Sequence, residues 1–176
     1  MSQYSGSKVG FVFLSGFAFA ALFSGASFAQ ELNSVKSLPL AMAKKAADAA
    51  REKCEADGYK VSVFVVDEGG HPKALVKSDG AGPHTSDSSF RKAYTALSMR
   101  NATQNLSNLV KKMPQLASLE KMNDKIILLA GGQPIKFGGD VVGGIGVGGA
   151  PGGHLDDACA VAGLKAIGAS VPEEKK

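Results

Sequence analysis

The chain has 176 residues with two cysteines and 22 glycines; 20 Lys and Arg stand against 16 Asp and Glu, for a formal net charge of +4. That surplus is small and dispersed apart from Lys111-Lys112 and Lys175-Lys176, which excludes the concentrated basic face a nucleic-acid-binding protein needs. With no internal repeat visible, the length suits one domain large enough to bury a core without staples.

In chain order, Lys8 supplies a positive start, Val9 to Phe23 an apolar run, and Ser27-Phe28-Ala29 a small-x-small cleavage site before Gln30. This predicts a secretory signal over residues 1–29, with residues 30–176 as one exported domain, periplasmic or secreted, and no membrane span once the signal is removed. Residues 38–57 follow as an amphipathic helix, with Leu40, Ala43, Ala47, Ala50 and Cys54 on one face and Gly58 as its stop. Val61 to Val66 is β-branched, Asp67-Glu68-Gly69-Gly70 reads as a turn, and Pro72 to Val76 as a return strand, so a hairpin is expected.

A second helix is expected from about Thr85 to Arg100, capped by Thr85, Ser86 or Asp87. Phe90, Ala93 and Leu97 form its core face, and at roughly 100° per residue Ser88, Lys92, Thr95 and Met99 form a separate stripe pointing away from the core. That stripe mixes a cation, two hydroxyls and a thioether, which fits either a ligand-facing surface or a subunit contact. Thr103 to Met113 predicts a short helix ended by Pro114. Leu116, Leu119 and Met122 then line an irregular cover, and Ile126 to Ala130 reads as a strand.

Residues 131–153 hold half of the glycines, interleaved with Ile135, Phe137, Val141, Val142, Ile145 and Val147. Two strands are expected, Pro134 to Phe137 and Asp140 to Gly146, joined at Gly138-Gly139, the glycines allowing close backbone approach. Gly144-Ile145-Gly146-Val147-Gly148-Gly149 matches G-x-G-x-x-G by spacing alone. A dinucleotide site needs a following helix, a second parallel strand and an acid about 20 residues on, for which the chain leaves no room. No G-K-[ST] is present, and Asp156-Asp157 would repel a phosphate at the next helix start. The last helix, Leu155 to Ala169, is expected to bury Leu155, Ala158, Cys159, Ala162, Ala166 and Ile167. The whole predicts an α/β (α+β) fold with five mostly antiparallel strands flanked by helices. Cys54 and Cys159 would bridge if the first and last helices lie side by side in an oxidising compartment; otherwise they read as buried free thiols.

Three histidines are candidates for chemistry. His71 reads as a solvated turn residue and His154 as an exposed first-turn residue, which leaves His84, just ahead of the second helix, as the best ligand. H-E-x-x-H, C-x-x-C and G-x-S-x-G are all absent, which argues against zinc chemistry and a serine nucleophile. Conventional acid–base catalysis has the least support.

Four motifs in order carry a family resemblance: Val65 to His71, Asp79 to Thr85, Arg91 to Ala96 (R-K-A-Y-T-A), and Val142 to Gly153 followed by Asp157-Ala158-Cys159. From about Leu38 to Ala169 the chain resembles the GlcG/HbpS-like family of haem-binding and haem-degrading proteins, related also to the C-terminal domain of PduO corrinoid adenosyltransferases. The resemblance implies a profilin-like sandwich, a homo-oligomer, and haem near the second helix. The family's haem-coordinating threonine falls on Thr95. On chemistry alone His84 or Met99 is a better iron donor than a hydroxyl, with Lys92 or Arg91 pairing a propionate. His154 stands where the family pattern has Asp, and no serine occupies the Gly148-Gly149-Ala150 turn. The readings in play are an exported haem-binding protein that stores, senses or degrades haem; a module for another small molecule such as an organic acid or corrinoid; and a metabolic accessory or interaction protein.

Overall fold

The computed structural model describes Gly6 and residues 33–172. The expected signal, residues 1–29, lies outside the described residues save for Gly6. The elements are α1 (Leu40–Ala56), β1 (Ser62–Asp67), β2 (Pro72–Lys77), α2 (Thr85–Ser98), α3 (Thr103–Lys112), a 3₁₀ helix (Pro114–Lys121), β3 (Gly132–Phe137), β4 (Asp140–Gly148) and α4 (Gly153–Ala166). The strands form one antiparallel sheet in the order β2-β1-β4-β3.

The sheet alternation assigns its two faces. Val63, Val65, Ile145 and Val147 are fully buried in one cluster with Ala43, Ala46, Ala47 and Ala50 of α1 and Cys159, Ala160 and Leu164 of α4. Each buried Val or Ile contributes about 1.5–3 kcal/mol, and the alanines let α1 and α4 approach closely. A Cβ on Gly163 of α4 would stand 2.6 Å from the Ala46 carbonyl oxygen. Cys54 and Cys159 are joined by a disulfide across this helix pair, with Cα atoms 5.6 Å apart.

The opposite face of the sheet carries α2. Ser62 pairs with Gly148, Phe64 with Gly146 and Val66 with Gly144, so Gly144, Gly146 and Gly148 all point the same way. A Cβ on Gly144 would overlap the Ala93 carbonyl oxygen, and one on Gly146 would overlap that of Ser89. The glycines therefore let the α2 backbone lie directly on β4. Close approach also shifts the buried face of α2, which keeps Ala93 of the expected core face but adds residues of the expected outward stripe. Ser89, Lys92, Ala93, Thr95 and Ala96 are buried, whereas Phe90 and Leu97 are only half-buried. Bulky side chains cannot fit beneath a helix seated on glycines, so Phe90 turns toward Phe64, with ring centroids 5.0 Å apart.

Three further expectations are corrected. Thr85, Ser86 and Asp87 do not cap α2; His84 precedes it with no side-chain cap bond. Leu155, Ala158, Ala162, Ala166 and Ile167 are exposed or half-buried, the interior face of α4 being Asp156, Cys159, Ala160, Gly163 and Leu164. This face is set by the contact with α1, since a run of small apolar residues has no sharp stripe of its own. Ile126–Ala130 is not a strand, and the sheet has four strands, not five. Side chains claim this segment's backbone instead: Ile127 N–H donates to Thr95 Oγ1 (2.9 Å), Leu128 N–H to Glu120 Oε1 (3.1 Å), and the Arg91 guanidinium to the Ile126 carbonyl (2.8 Å). The β3–β4 turn is as expected, with Gly138 and Gly139 both at positive φ (56° and 91°).

Candidate functional site

A cleft of about 500 Å³ opens where four segments meet. His84, Ser88 and Lys92 enter from α2 and its N-terminal flank, and Gln104, Ser107 and Lys111 from one face of α3. Leu128, Leu129 and Ala130 supply an apolar wall, and the loop from Gly148 to Gly153, leading to His154 and Asp156, closes the far side. The site sits at the carboxyl end of β4 because β4 ends in a glycine turn that α4 must follow. Both His84 and His154 are exposed, so each presents an imidazole to a ligand or to water.

Beneath the opening lies a buried ion pair. The Lys92 ammonium donates to Asp156 Oδ2 at 2.7 Å and to the Val147 carbonyl at 2.8 Å, with residue exposures of 4% for Lys92 and 3% for Asp156. Asp156 Oδ1 accepts the N–H of Ala150 at 3.0 Å, and the Gly149 N–H also donates to this carboxylate. Burial pushes the Asp156 carboxyl above its ordinary value; the Lys92 ammonium and the two loop amides oppose that without reversing it. Neighbouring Asp157 is also raised by burial, against the Gln133 amide that donates to it at 2.8 Å. In the distant β1–β2 turn, burial of Asp67 is outweighed by the N–H groups of His71 and Gly69 and by the His71 imidazole, leaving that carboxyl below its usual value.

Of the residues singled out in the sequence, His84, Ser88 and Lys92 line this cleft, while Arg91, Thr95 and Met99 do not. The expected outward stripe on α2 is not formed. Thr95 is fully buried, and its hydroxyl is committed to Ile127 N–H. Met99 is half-buried against the cluster of Leu106, Ile126 and Leu128. Arg91 is engaged with the Ile126 carbonyl and lies 3.9 Å from the Asp87 carboxylate. Lys92 reaches the cleft floor, but its charge is already matched by Asp156, so it is not a free partner for a propionate. Sequence reading missed Gln104, Ser107 and Lys111, which share one helical face at i, i+3 and i+7, a polar stripe beside the apolar Leu106–Val110 side. Among the described residues no group of three or more His, Cys, Asp or Glu is placed to hold a metal ion, and no helix is long and apolar enough to cross a membrane.

A four-stranded antiparallel sheet covered on both faces, with a ligand-sized cleft beside a glycine-rich strand end, defines a small-molecule-binding α/β sandwich. The family model for HbpS-like haem degrading proteins matches residues 38–165, and the chain belongs to this family. It is similar to a double mutant of Streptomyces reticuli HbpS, with 42% identity, a TM-score of 0.71, and 76% of this chain and 89% of that one covered. The solved PduOC:heme complex is similar at 26% identity and a TM-score of 0.71, covering 77% of this chain and 98% of that one. Protein GlcG of Escherichia coli K12 is 31% identical over 113 residues, 60% of this chain and 77% of its own length.

Proposed function

We propose that this protein is an exported haem-binding protein and that haem occupies the cleft between α2, α3 and the Gly148–Gly153 loop. The observation that carries the reading is the pair of exposed imidazoles, His84 and His154, at a cleft of about 500 Å³ with an apolar wall, in a chain of the HbpS-like family. The residues present suit the group. A tetrapyrrole needs an apolar surface, an axial donor and a cation for its carboxylates, and here these are Leu128 and Leu129, His84 or His154, and Lys111. Bound haem would supply iron-centred redox chemistry. The chain itself would hold the iron through an imidazole, draw the carboxylates to Lys111, and shield one side of the ring from water with the 128–130 segment. The heme found with the similar PduOC supports the same ligand class.

Export is supported by the Cys54–Cys159 bridge, since disulfides persist in oxidising compartments. A homo-oligomer is part of this reading, carried over from the resemblance to the GlcG/HbpS-like family; a monomer by light scattering at micromolar concentration would contradict it. The polar face of Gln104, Ser107 and Lys111 favours, as a second reading, a small organic acid in the same cleft.

Hemin titration of the purified protein decides between the two ligands. Saturable binding with a Soret band, shifted in His84→Ala or His154→Ala, supports haem. Absence of a band together with thermal stabilisation by an organic acid overturns it. Peroxide added to the complex then separates degradation, in which the band is lost, from storage or sensing, in which it persists.

A further inference from the structure

The buried Lys92–Asp156 pair is unusual in where its hydrogen bonds go. One carboxylate oxygen of Asp156 takes the Lys92 ammonium at 2.7 Å. The other takes the amide of Ala150 at 3.0 Å, and the Gly149 amide donates to the same group. Lys92 in turn ties the end of β4 through the Val147 carbonyl at 2.8 Å. Three elements, α2, β4 and the first turn of α4, are thus locked around the loop that forms one wall of the cleft. Gly131 leaves room for the lock, because a Cβ there would stand 2.7 Å from the Asp156 Cβ and 3.0 Å from the Lys92 ammonium.

We propose that Asp156, held by Lys92, is a positioning residue that sets the shape of the Gly148–Gly153 loop and so the cleft's ability to take its ligand. The proposal rests on the reading of that cleft as the ligand site and names what keeps it formed. Two considerations favour positioning over a purely stabilising role. Taking both charges out of water outweighs much of their attraction, and well-packed apolar residues in their place generally leave stability unchanged or improved. The carboxyl's upward displacement by burial points the same way. What apolar replacements cannot supply is an acceptor for the Gly149 and Ala150 amides, which would otherwise leave the wall unanchored. Asp157 on α4 is the other charged group close to the pair, and its side chain is turned to Gln133 instead.

The test is the double variant Lys92→Met/Asp156→Leu beside Asp156→Ala and Lys92→Met/Asp156→Asn, each assayed by amide hydrogen exchange without ligand and by hemin titration. The double variant is expected to melt no lower than the wild type, to lose exchange protection at Gly149 and Ala150, and to bind hemin at least about tenfold more weakly, a tenfold change being about 1.4 kcal/mol. Asp156→Ala should show the same loss of protection, whereas Lys92→Met/Asp156→Asn, which removes the buried cation and keeps an acceptor oxygen for the loop amides, should restore both protection and affinity. Unchanged protection in the double variant and in Asp156→Ala overturns the proposal, as does lost protection with hemin affinity intact. If the wild type takes up no hemin, the haem reading fails by itself, and the ligand-free exchange still decides whether Asp156 holds the loop.

Discussion

Replacing Lys92 with Met leaves a stem of similar length but removes the ammonium that faces Asp156 Oδ2 at 2.7 Å and the Val147 carbonyl at 2.8 Å. Asp156 keeps its loop amides but becomes a buried carboxylate with no cation. Breaking a buried pair from one side typically costs about 3–5 kcal/mol, and the surviving amide bonds place this case at about 3 kcal/mol. For a domain of this size that corresponds to roughly 10–15 °C in melting midpoint at pH 7. The pH dependence follows from the carboxyl. Without Lys92 only burial and the amides act on Asp156, so its folded-state value rises further above the unfolded value of about 3.9. A carboxyl raised on folding favours the folded state at low pH, and that contribution is lost as pH rises through the unfolded and then the folded value. The deficit of Lys92→Met should therefore shrink as pH falls from 7 toward 4. Differential scanning calorimetry of both proteins across that range measures it. A midpoint drop of less than about 3 °C at pH 7, or a drop that does not shrink on acidification, would refute the reasoning.

Gly146→Ala should destabilise the fold by about 1–3 kcal/mol or prevent folding, because the new Cβ meets the Ser89 carbonyl and α2 must lift from β4; denaturant titration measures this, and wild-type stability would contradict it. Reduction of the Cys54–Cys159 bridge opens a sequence separation of 105 residues, which on chain entropy removes about 4–5 kcal/mol; an unfolding midpoint unaffected by reductant would contradict that. Thr95→Val leaves the Ile127 N–H without its acceptor and should cost about 1–3 kcal/mol without shifting the Soret band of the hemin complex. A shifted band with stability intact would return Thr95 to the iron.

The layered fold was legible because its signals are local. The period-2 valines of β1, the Gly138-Gly139 turn and the alanine face of α1 each dictate an element without reference to the rest of the chain. The Cys54–Cys159 bridge was legible only as a condition, that the first and last helices lie side by side; the structure meets it, although the buried face of α4 is not the one its own residues suggested. The sidedness of α2 was not legible from its own residues. Phe90 and Leu97 carry the greater hydrophobicity, but the face that meets the sheet was decided about fifty residues later by Gly144 and Gly146, which admit only a helix with small side chains beneath it. The same displacement hid the site: Lys92 and Thr95 read as an exposed stripe, and their partners Asp156 and Ile127 are brought to them only by the tertiary fold. Ile126–Ala130 misled for a related reason. Its apolar, β-branched character suits a strand, while its hydrogen bonds go to Thr95 and Glu120 side chains. Of the cleft, His84 was found from position and chemistry, and the α3 stripe Gln104–Ser107–Lys111 could have been found by its spacing.

Haem binding in the cleft is tested most directly by filling the cleft. Ser107 lines the cleft from α3 and is only half-buried, so Ser107→Trp fills the opening without entering the core. Hemin titration followed at the Soret band, with wild type and Ser107→Trp side by side and matched in melting midpoint, should give saturable uptake by the wild type and at least about a tenfold loss of affinity in the variant, or about 1.4 kcal/mol. Equal affinity for the two proteins, or no uptake by the wild type, would contradict the account.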